Sequence, residues 1–443
     1  QDDNSAKMMT MSRSKFFAIL FFSVAVSSFQ PPIFLPTTNH HHHYHHMITT
    51  AFPRTRTLLS ASDDSPLFFD RDKPSLKDIN ISSISIRTSD DADANTTTSK
   101  SSSTLSLLEH INFNVPNHDY ILNFYLDILG CGLDPRVAVN LMDDDTDLPK
   151  FGREGLIWVS CGPNQVHFPR DVKAQALTAG HIGLRYRSLD GLTKRLIRAS
   201  SSSTNEKCFE SFEIVEADSD ETIIKIKDLY GSVFHCREGT VMSTKYKQSF
   251  VKLSDEDKFG DVALRYGVKD DESTDCRGID YVEFDCPMAT AEKIAQFYES
   301  IFDATTFVVR DDNKKAAYIA LGDIDVTTTR GLQQASQYLI FRETPCEIPE
   351  YDGYHIALYM GDTQNDTKDF ERAFQKAKMA GLLSTNWRDA ADVFSLEEAR
   401  SQKQFRIEHI LDMNNPGQPP IFQLEHEIRS VEHPTWPGRG QWK

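Results

Sequence analysis

The chain has 443 residues, of which 39% are hydrophobic and 10% aromatic, and this composition predicts a globular protein of two or three domains. Its formal net charge of −17 argues against a nucleic-acid groove, because neutralising phosphates requires clustered Lys and Arg. The 7 cysteines are irregularly spaced and form no CxxC pair, which disfavours a disulfide framework or a thiolate zinc site. We expect most of them to be small buried hydrophobes in a reduced compartment.

Residues 1–60 have the composition of a targeting segment. The apolar run FFAILFFSVAV at residues 16–26 follows basic residues and is too short to span a bilayer comfortably. No Asp or Glu occurs between Asp3 and Asp63, whereas Arg54, Arg56 and many Ser and Thr residues do occur there. The pattern predicts a signal peptide followed by a transit-like stretch, and so a plastid protein without stable membrane insertion after the leader is removed. Secretion is the alternative.

Residues 61–104 are rich in Ser, Thr and Asp without a sustained period, which predicts a disordered linker. A strand is then predicted at 108–115 and a helix at 119–129, with Asn117 as the helix cap. Further strands are predicted at 133–140, 155–162 and 164–169. These elements form one βαβββ module.

The same order of elements recurs three more times along the chain. The helix sequence QFYESIF of the third module echoes NFYLDIL of the first. Four modules predict an α+β fold of tandem βαβββ modules, arranged as two paired-module domains with cupped mixed sheets. We place these domains at 105–240 and 276–432, with an acidic linker at 241–275 between them and a C-terminal tail at 433–443.

Three motifs carry a resemblance to a known family: the opening EHINFNV…NFYLDILG, the strand GHIGLRY and the ending DLYGSVFHC. In this order they resemble the vicinal oxygen chelate superfamily, which includes glyoxalase I, bleomycin-resistance proteins, fosfomycin-resistance enzymes and type I extradiol dioxygenases. The resemblance covers roughly 105–240 and 276–432. It implies a cup formed by two modules, with a divalent metal held by the first and fourth strands of each.

The resemblance implies four metal ligands in the first domain: His110, His167, His181 and His235. Imidazole nitrogen suits a divalent transition metal such as Zn, Fe, Ni, Cu or Co better than Mg or Ca. Three aromatic residues are expected to line the substrate pocket, namely Trp158, Phe168 and Tyr186.

The second domain offers fewer ligands at the matching positions. Its equivalents are predicted to be Tyr281, Leu339, His355 and Gln423, so only His355 is a strong ligand. Three nearby residues could build an altered site, namely His409, Glu425 and His426. The simpler interpretation is a degenerate domain that pairs with or shields the first.

Two functions remain open at this point, and no catalytic residue is assigned. Strand alternation should turn Glu109 away from His110, which leaves no carboxylate among the predicted ligands and disfavours ring cleavage and glyoxalase-type proton transfer. The first hypothesis is a metal-dependent enzyme acting on a small oxygenated molecule by lyase, isomerase or oxygenase chemistry. The alternative is a non-catalytic small-ligand binder of the bleomycin-resistance type. The tandem repeat favours a monomer and leaves a homodimer open.

Overall fold

The computed structural model describes residues 101–133, 156–201, 207–216, 221–239, 276–311, 314–324, 336–361, 367–384 and 393–436. Five segments lie outside the described residues: the targeting segment, most of the predicted linker at 61–104, all but the first residue of the predicted strand at 133–140, the acidic linker at 241–275 and the tail beyond 436. The sequence-based expectations for these segments therefore stay predictions.

The chain enters the described region through β1 (Ser101–Ser102). Module one contains β2 (Leu105–Asn112), α1 (His118–Leu122), β3 (Gly132–Leu133), β4 (Leu156–Cys161) and β5 (Asn164–Pro169). Helix α1 continues as a π-helix over Asn123–Ile128, and the Asn117 side chain caps its start as predicted. Module two contains β6 (Gly180–Tyr186), α2 (Asp190–Ser200), β7 (Ser211–Glu216), β8 (Thr222–Lys227) and β9 (Val233–Glu238).

Modules three and four follow a similar plan, with an extra short strand in module three and with two helices and three strands in the described part of module four. Module three contains β10 (Cys276–Pro287), α3 (Ala291–Phe302), β11 (Thr306–Asp311), β12 (Lys314–Leu321), β13 (Asp323–Ile324) and β14 (Gln337–Thr344). Module four contains β15 (His355–Met360), α4 (Lys368–Met379), α5 (Leu396–Gln402), β16 (Gln404–Ile410) and β17 (Phe422–Ser430). The predicted α+β fold of tandem modules is confirmed.

The described strands form two large mixed sheets, and each sheet combines two modules. One has the order β16-β17-β15-β2-β5-β4-β3, and the other has the order β11-β12-β14-β10-β6-β9-β8-β7. Strand β2 pairs antiparallel with β15, and β6 pairs antiparallel with β10. Module one therefore shares a sheet with module four, and module two with module three. The expectation that modules one and two pair within 105–240 is wrong.

Residue size explains how the central strands meet. Gly183 of β6 lies opposite Tyr281 of β10, and a Cβ atom on Gly183 would lie 2.2 Å from the Tyr281 ring. In the other sheet Ala357 of β15 lies opposite His110 of β2. In both sheets a small residue on one central strand faces a ring on the other.

Two buried amides join the sheets. Asn164 donates to the Leu108 carbonyl at 2.5 Å and accepts from the Ile279 amide at 2.9 Å. Gln337 accepts from the Leu108 amide at 3.0 Å and donates to the Ile279 carbonyl at 2.7 Å. One apolar core, which contains Phe234, Phe341 and Ile428 among many others, draws residues from both sheets. Both paired sheets thus form within one chain and one core.

The seam between the sheets provides a test of this arrangement. Gly162 has φ +60, and a Cβ atom there would lie 2.1 Å from the Arg277 carbonyl oxygen. We expect Gly162→Ala to lower the free energy of unfolding by about 1–3 kcal/mol from backbone strain alone, with the clash adding to that. Urea denaturation of the full chain measures it.

The control is Gly417→Ala, because no atom lies within 4 Å of a Cβ atom built on Gly417. Its free energy of unfolding should stay within about 0.5 kcal/mol of wild type. Equal effects of the two substitutions would contradict the close approach at the seam.

Candidate metal centre

Three side chains meet on one face of the sheet that modules one and four share, which we call the first cup. The Nε2 atoms of His110 and His355 lie 3.4 Å apart. The Glu427 Oε2 atom lies 3.5 Å from His355 Nε2 and 3.9 Å from His110 Nε2. All three side chains are buried, with His355 the most exposed at 7%.

This donor set fits a transition metal. One ligand atom from each residue lies within 4.8 Å of the others. Metal–nitrogen and metal–oxygen bonds of about 2.0–2.2 Å place neighbouring ligand atoms about 3.0–3.5 Å apart. Shifts of a few tenths of an ångström would therefore let all three residues bind one ion. Two His and one carboxylate suit Fe, Zn, Co or Ni better than Mg or Ca.

A β-bulge turns Glu109 toward this centre. The ladder between β2 and β15 pairs His110 with Ala357 and Leu108 with Leu358, so Glu109 is an extra residue. Its Oε2 atom lies 3.3 Å from His110 Nδ1. A carboxylate only accepts, so His110 donates through Nδ1 and its Nε2 lone pair faces the centre. The expectation that strand alternation turns Glu109 away from His110 is therefore wrong.

Two more side chains hold Glu109 in place. The Tyr359 hydroxyl donates to Glu109 Oε1 at 3.0 Å, and Arg429 Nη1 donates to Oε2. Thr435 hydrogen-bonds Tyr359 at 2.6 Å, and Trp436 packs on the Tyr359 ring at 4.6 Å. The start of the C-terminal tail thus packs on module four and supports the Glu109–His110 contact.

Glu427 is held by two guanidinium groups. Arg406 Nη2 donates to its Oε2 atom, and Arg429 Nε donates to Oε1 at 2.5 Å. Although burial acts to raise its pKa, Arg429 and Arg406 hold the pKa of Glu427 well below its usual range. The carboxylate is therefore charged and fixed in orientation.

The two histidines are neutral at pH 7. Burial, followed by the nearby Arg429 guanidinium, lowers the pKa of His110 well below its ordinary value. Burial and Arg406 lower the pKa of His355. A neutral imidazole is the form that binds a metal, so no proton on a cationic ring competes for the site.

His167 lies beside the triad with its Nε2 engaged elsewhere. Its ring stacks on His110 at 3.7 Å and on Trp158 at 4.4 Å. Its Nε2 atom lies 2.7 Å from Gln165 Oε1 and so donates to the amide. In this geometry His167 orients the His110 ring, and Trp158 lies on the same face of the sheet.

The other two predicted ligands lie on the sheet that modules two and three share, which we call the second cup. The His181 and His235 rings are 3.8 Å apart, in the sheet that contains modules two and three. His181 Nε2 lies 3.0 Å from the Tyr281 hydroxyl, and Glu283 forms a two-point ion pair with Arg342 at 2.7 and 2.9 Å. The predicted convergence of all four histidines in one cup is wrong, because their modules belong to different sheets.

Strand register corrects two of the predicted equivalences. Tyr281 pairs with Tyr338 in the second sheet, just as His110 pairs with Gln165 in the first. His167 lies two residues after Gln165, and Ile340 lies two residues after Tyr338. Ile340, not Leu339, therefore matches His167. Leu339 points into the common core, whereas Ile340 lies in the apolar cluster of Tyr281. Ile182 pairs with Phe234, just as Ile356 pairs with His426. His235 directly follows Phe234, and Glu427 directly follows His426. Glu427, not Gln423, therefore matches His235.

The sequence alignment missed Glu427, although a signal for it was present. In FQLEHEIRS, the charged residues Glu425, Glu427 and Arg429 alternate with Leu424, His426 and Ile428. This alternation places the charged residues on one face of β17, with Leu424 and Ile428 in the core.

The three residues expected to build an altered site make other contacts. Glu425 pairs with Arg406 at 2.7 Å, and the His426 ring, on the core face of β17, lies 2.6 Å from the Tyr298 hydroxyl. His409 lies on β16 opposite Gln423. None of the three belongs to the triad in the described part of the chain.

Two predicted pocket residues lie in the core. Phe168 packs on Tyr125 at 4.8 Å, and the Tyr186 hydroxyl donates to the Leu129 carbonyl at 2.8 Å. Both belong to the cluster between the sheets. The prediction that they line the pocket is wrong, because strand alternation turns them to the opposite face.

Several solved structures align with parts of this chain at low sequence identity. A putative dioxygenase from Bacillus subtilis subsp. subtilis str. 168 aligns over 74% of this chain and 85% of its own, with 12% identity and a TM-score of 0.41. Glyoxalase I from Zea mays aligns over 75% of this chain and 93% of its own, with 12% identity and a TM-score of 0.39. A fosfomycin resistance protein from Listeria monocytogenes aligns over 31% of this chain and 93% of its own, with 16% identity and a TM-score of 0.22.

These alignments assign neither substrate nor reaction to this chain. No protein-family model matches the chain, and no curated protein matches it. Among the described residues, no helix combines the length and apolar character needed to cross a membrane.

The buried histidines predict acid sensitivity. Burial lowers the pKa of five of them: His110, His118, His235, His355 and His426, with values of about 2 for His235 and about 3 for His426. The unfolded chain takes up protons below about pH 6.5 while the folded chain does not, so stability falls as the pH drops below that value. Each group can contribute up to about 1.4 kcal/mol per pH unit.

We expect the free energy of unfolding to fall by at least about 2 kcal/mol between pH 7.5 and 5.5. Urea denaturation at several pH values measures it. The variant His235→Asn should show a smaller fall than wild type. A flat profile over this range would contradict the assignment of neutral buried histidines.

Proposed function

We propose that this chain is a metal-dependent enzyme with the fold of the vicinal oxygen chelate superfamily, and that its centre lies between modules one and four. The observation that supports it best is the convergence of His110 Nε2, His355 Nε2 and Glu427 Oε2 within 4.8 Å. This set replaces the four histidines of the sequence-based hypothesis. It restores the carboxylate whose apparent absence disfavoured ring cleavage and glyoxalase-type proton transfer.

The arrangement of donors favours oxygenase chemistry on a small molecule with neighbouring oxygens. Two His and one carboxylate that leave further coordination positions open are typical of non-haem Fe(II) oxygenases. A bound divalent ion would polarise substrate oxygens and stabilise negative charge that develops on them. A centre whose ligands are at most 7% exposed favours a small substrate.

The chain's own residues would orient this centre and set its charge. Glu109 fixes the tautomer of His110, and Arg406 and Arg429 fix the direction of the Glu427 carboxylate. In the metal-free protein His355 Nε2 faces two acceptors, so it carries the hydrogen and would release it on metal binding. The surrounding burial excludes water and strengthens each of these interactions.

One observation favours a second function, a metal-free small-ligand binder. Both oxygens of Glu427 already accept hydrogen bonds from guanidinium groups, so its charge is balanced without a metal ion. Metal content distinguishes the two functions. A binder would hold no stoichiometric transition metal in the first cup.

The ligand set predicts which histidine variants lose the metal. We expect wild type to retain about one equivalent more of Fe(II), Zn(II) or Co(II) after dialysis than His110→Ala and His355→Ala do, because two protein ligands hold a catalytic ion poorly. Elemental analysis of the protein measures the content. Oxygen uptake by the Fe(II)-loaded protein with a catechol then tests the oxygenase chemistry.

The matched control is His181→Ala, since His181 occupies in the second cup the strand position of His355. It should retain the metal of the first cup. Metal lost equally from His181→Ala and His355→Ala, or absent from wild type, would contradict the proposed centre and favour the metal-free binder.

Glu109 predicts a smaller and graded effect. We expect Glu109→Gln to weaken metal binding by about 10–100-fold without changing the ligands, because it weakens the hydrogen bond that sets the basicity of His110. Competition with a chelator of known affinity measures the change. The control is Glu283→Gln in the second cup, which should leave the affinity unaltered. Equal affinities of Glu109→Gln and wild type would remove Glu109 from the centre.

A further inference from the structure

Three cysteines from separate segments meet in the core, away from both cups. Cys131 follows the π-helix, Cys161 ends β4 and Cys276 begins β10. Their sulfur atoms all lie within 4.8 Å of one another, and Cys131 Sγ and Cys161 Sγ are 3.4 Å apart. All three are 0% exposed. The absence of a CxxC pair in the sequence gives no information on such a cluster, since its members are far apart along the chain.

The sulfur spacing is closer to that of a metal site than to that of a disulfide. Metal–sulfur bonds of about 2.3 Å hold neighbouring sulfurs about 3.8–4.0 Å apart. A disulfide requires about 2.05 Å between sulfurs. The 3.4 Å between Cys131 and Cys161 is a few tenths short of the first value and more than an ångström beyond the second.

The surroundings provide a partial charge balance. A divalent ion bound by three thiolates carries a net charge of −1, which is costly to bury without a cation nearby. Burial raises the pKa of Cys236, and the Arg195 guanidinium opposes that rise, so a positive charge lies near the Cys236 sulfur. Arg195 Nε is anchored on the Ile128 carbonyl at 2.8 Å, within the segment that leads to Cys131.

The location gives the cluster a structural consequence. Cys131 and Cys161 belong to module one, whereas Cys276 begins the first strand of module three. The seam where Gly162 approaches the Arg277 backbone directly adjoins Cys161 and Cys276. An ion bound here would tie the two sheets together in addition to the bridges of Asn164 and Gln337.

We propose that Cys131, Cys161 and Cys276 bind a thiophilic d10 cation, Zn2+ or Cu+, as a structural site separate from the His–His–Glu centre. Soft thiolate ligands select these ions. Each thiol that binds loses its proton to the solvent, so three thiols and one Zn2+ release three protons. Because the site is sealed, the ion enters as the chain folds.

The test is to refold the full chain in a thiol-free reductant with Cd2+ as a spectroscopic substitute for Zn2+, and separately with Cu+. The background is His355→Ala, which removes binding at the other centre. We expect one equivalent of bound ion that survives gel filtration and a sulfur-to-cadmium charge-transfer band in the ultraviolet. The ion retained on gel filtration shows whether Cd2+, Cu+ or both are bound.

Cys276→Ala should lose both the band and the bound ion. The matched control is Cys286→Ala, because Cys286 lies on the same strand and is equally buried but outside the cluster. It should retain both. If Cys276→Ala does not fold, the charge-transfer band and the amount of ion bound by the refolded parent still test the proposal.

A refolded parent without stoichiometric metal and without the band would overturn the proposal. So would equal losses from Cys276→Ala and Cys286→Ala. Neither result affects the His–His–Glu centre, which the imidazole variants test independently.

Discussion

The antiparallel pairing of β2 with β15 is the constraint on which the first cup depends. It places His110 opposite Ala357 and so brings the His110 ring to the Nε2 atom of His355, although the two histidines are 245 residues apart. The parallel pairing of β15 with β17 then adds Glu427 to the same face. Without the β2–β15 pairing, module one would keep His110 and His167 but would lack the second imidazole and the carboxylate.

The bulge in that pairing has an electrostatic consequence. It puts the Glu109 carboxylate on the face of the sheet that carries the triad. A row of ion pairs there runs from Arg406 to Glu427, then to Arg429 and then to Glu109. Buried ion networks of this kind contribute little to stability relative to apolar residues of similar volume. Their effect here is orientation, because Glu109 fixes the His110 ring and the two arginines fix the Glu427 carboxylate.

The local patterns in the sequence predicted each module but not how modules combine. Strand alternation and helical spacing identified βαβββ units, and His110 and His355 were recognised as first-strand positions. Four units with one pattern are compatible with either pairing, because the choice depends on long-range fit such as Gly183 against the Tyr281 ring. Glu109 was placed on the wrong face because a single inserted residue reverses alternation. Glu427 was missed because Gln423, on the same strand, was taken as the equivalent of His235.

The two cups differ in the groups that contact the equivalent histidine, which is His355 in the first cup and His181 in the second. In the first cup His355 faces His110 and Glu427, and a metal can replace the hydrogen it carries. In the second cup Tyr281 occupies the position of His110, and burial raises the pKa of its hydroxyl well above the ordinary value. The phenol therefore keeps its proton, and its oxygen lies 3.0 Å from His181 Nε2, the nitrogen that a metal would need. The side chain that contacts each histidine, His110 in the first cup and Tyr281 in the second, thus distinguishes the two cups.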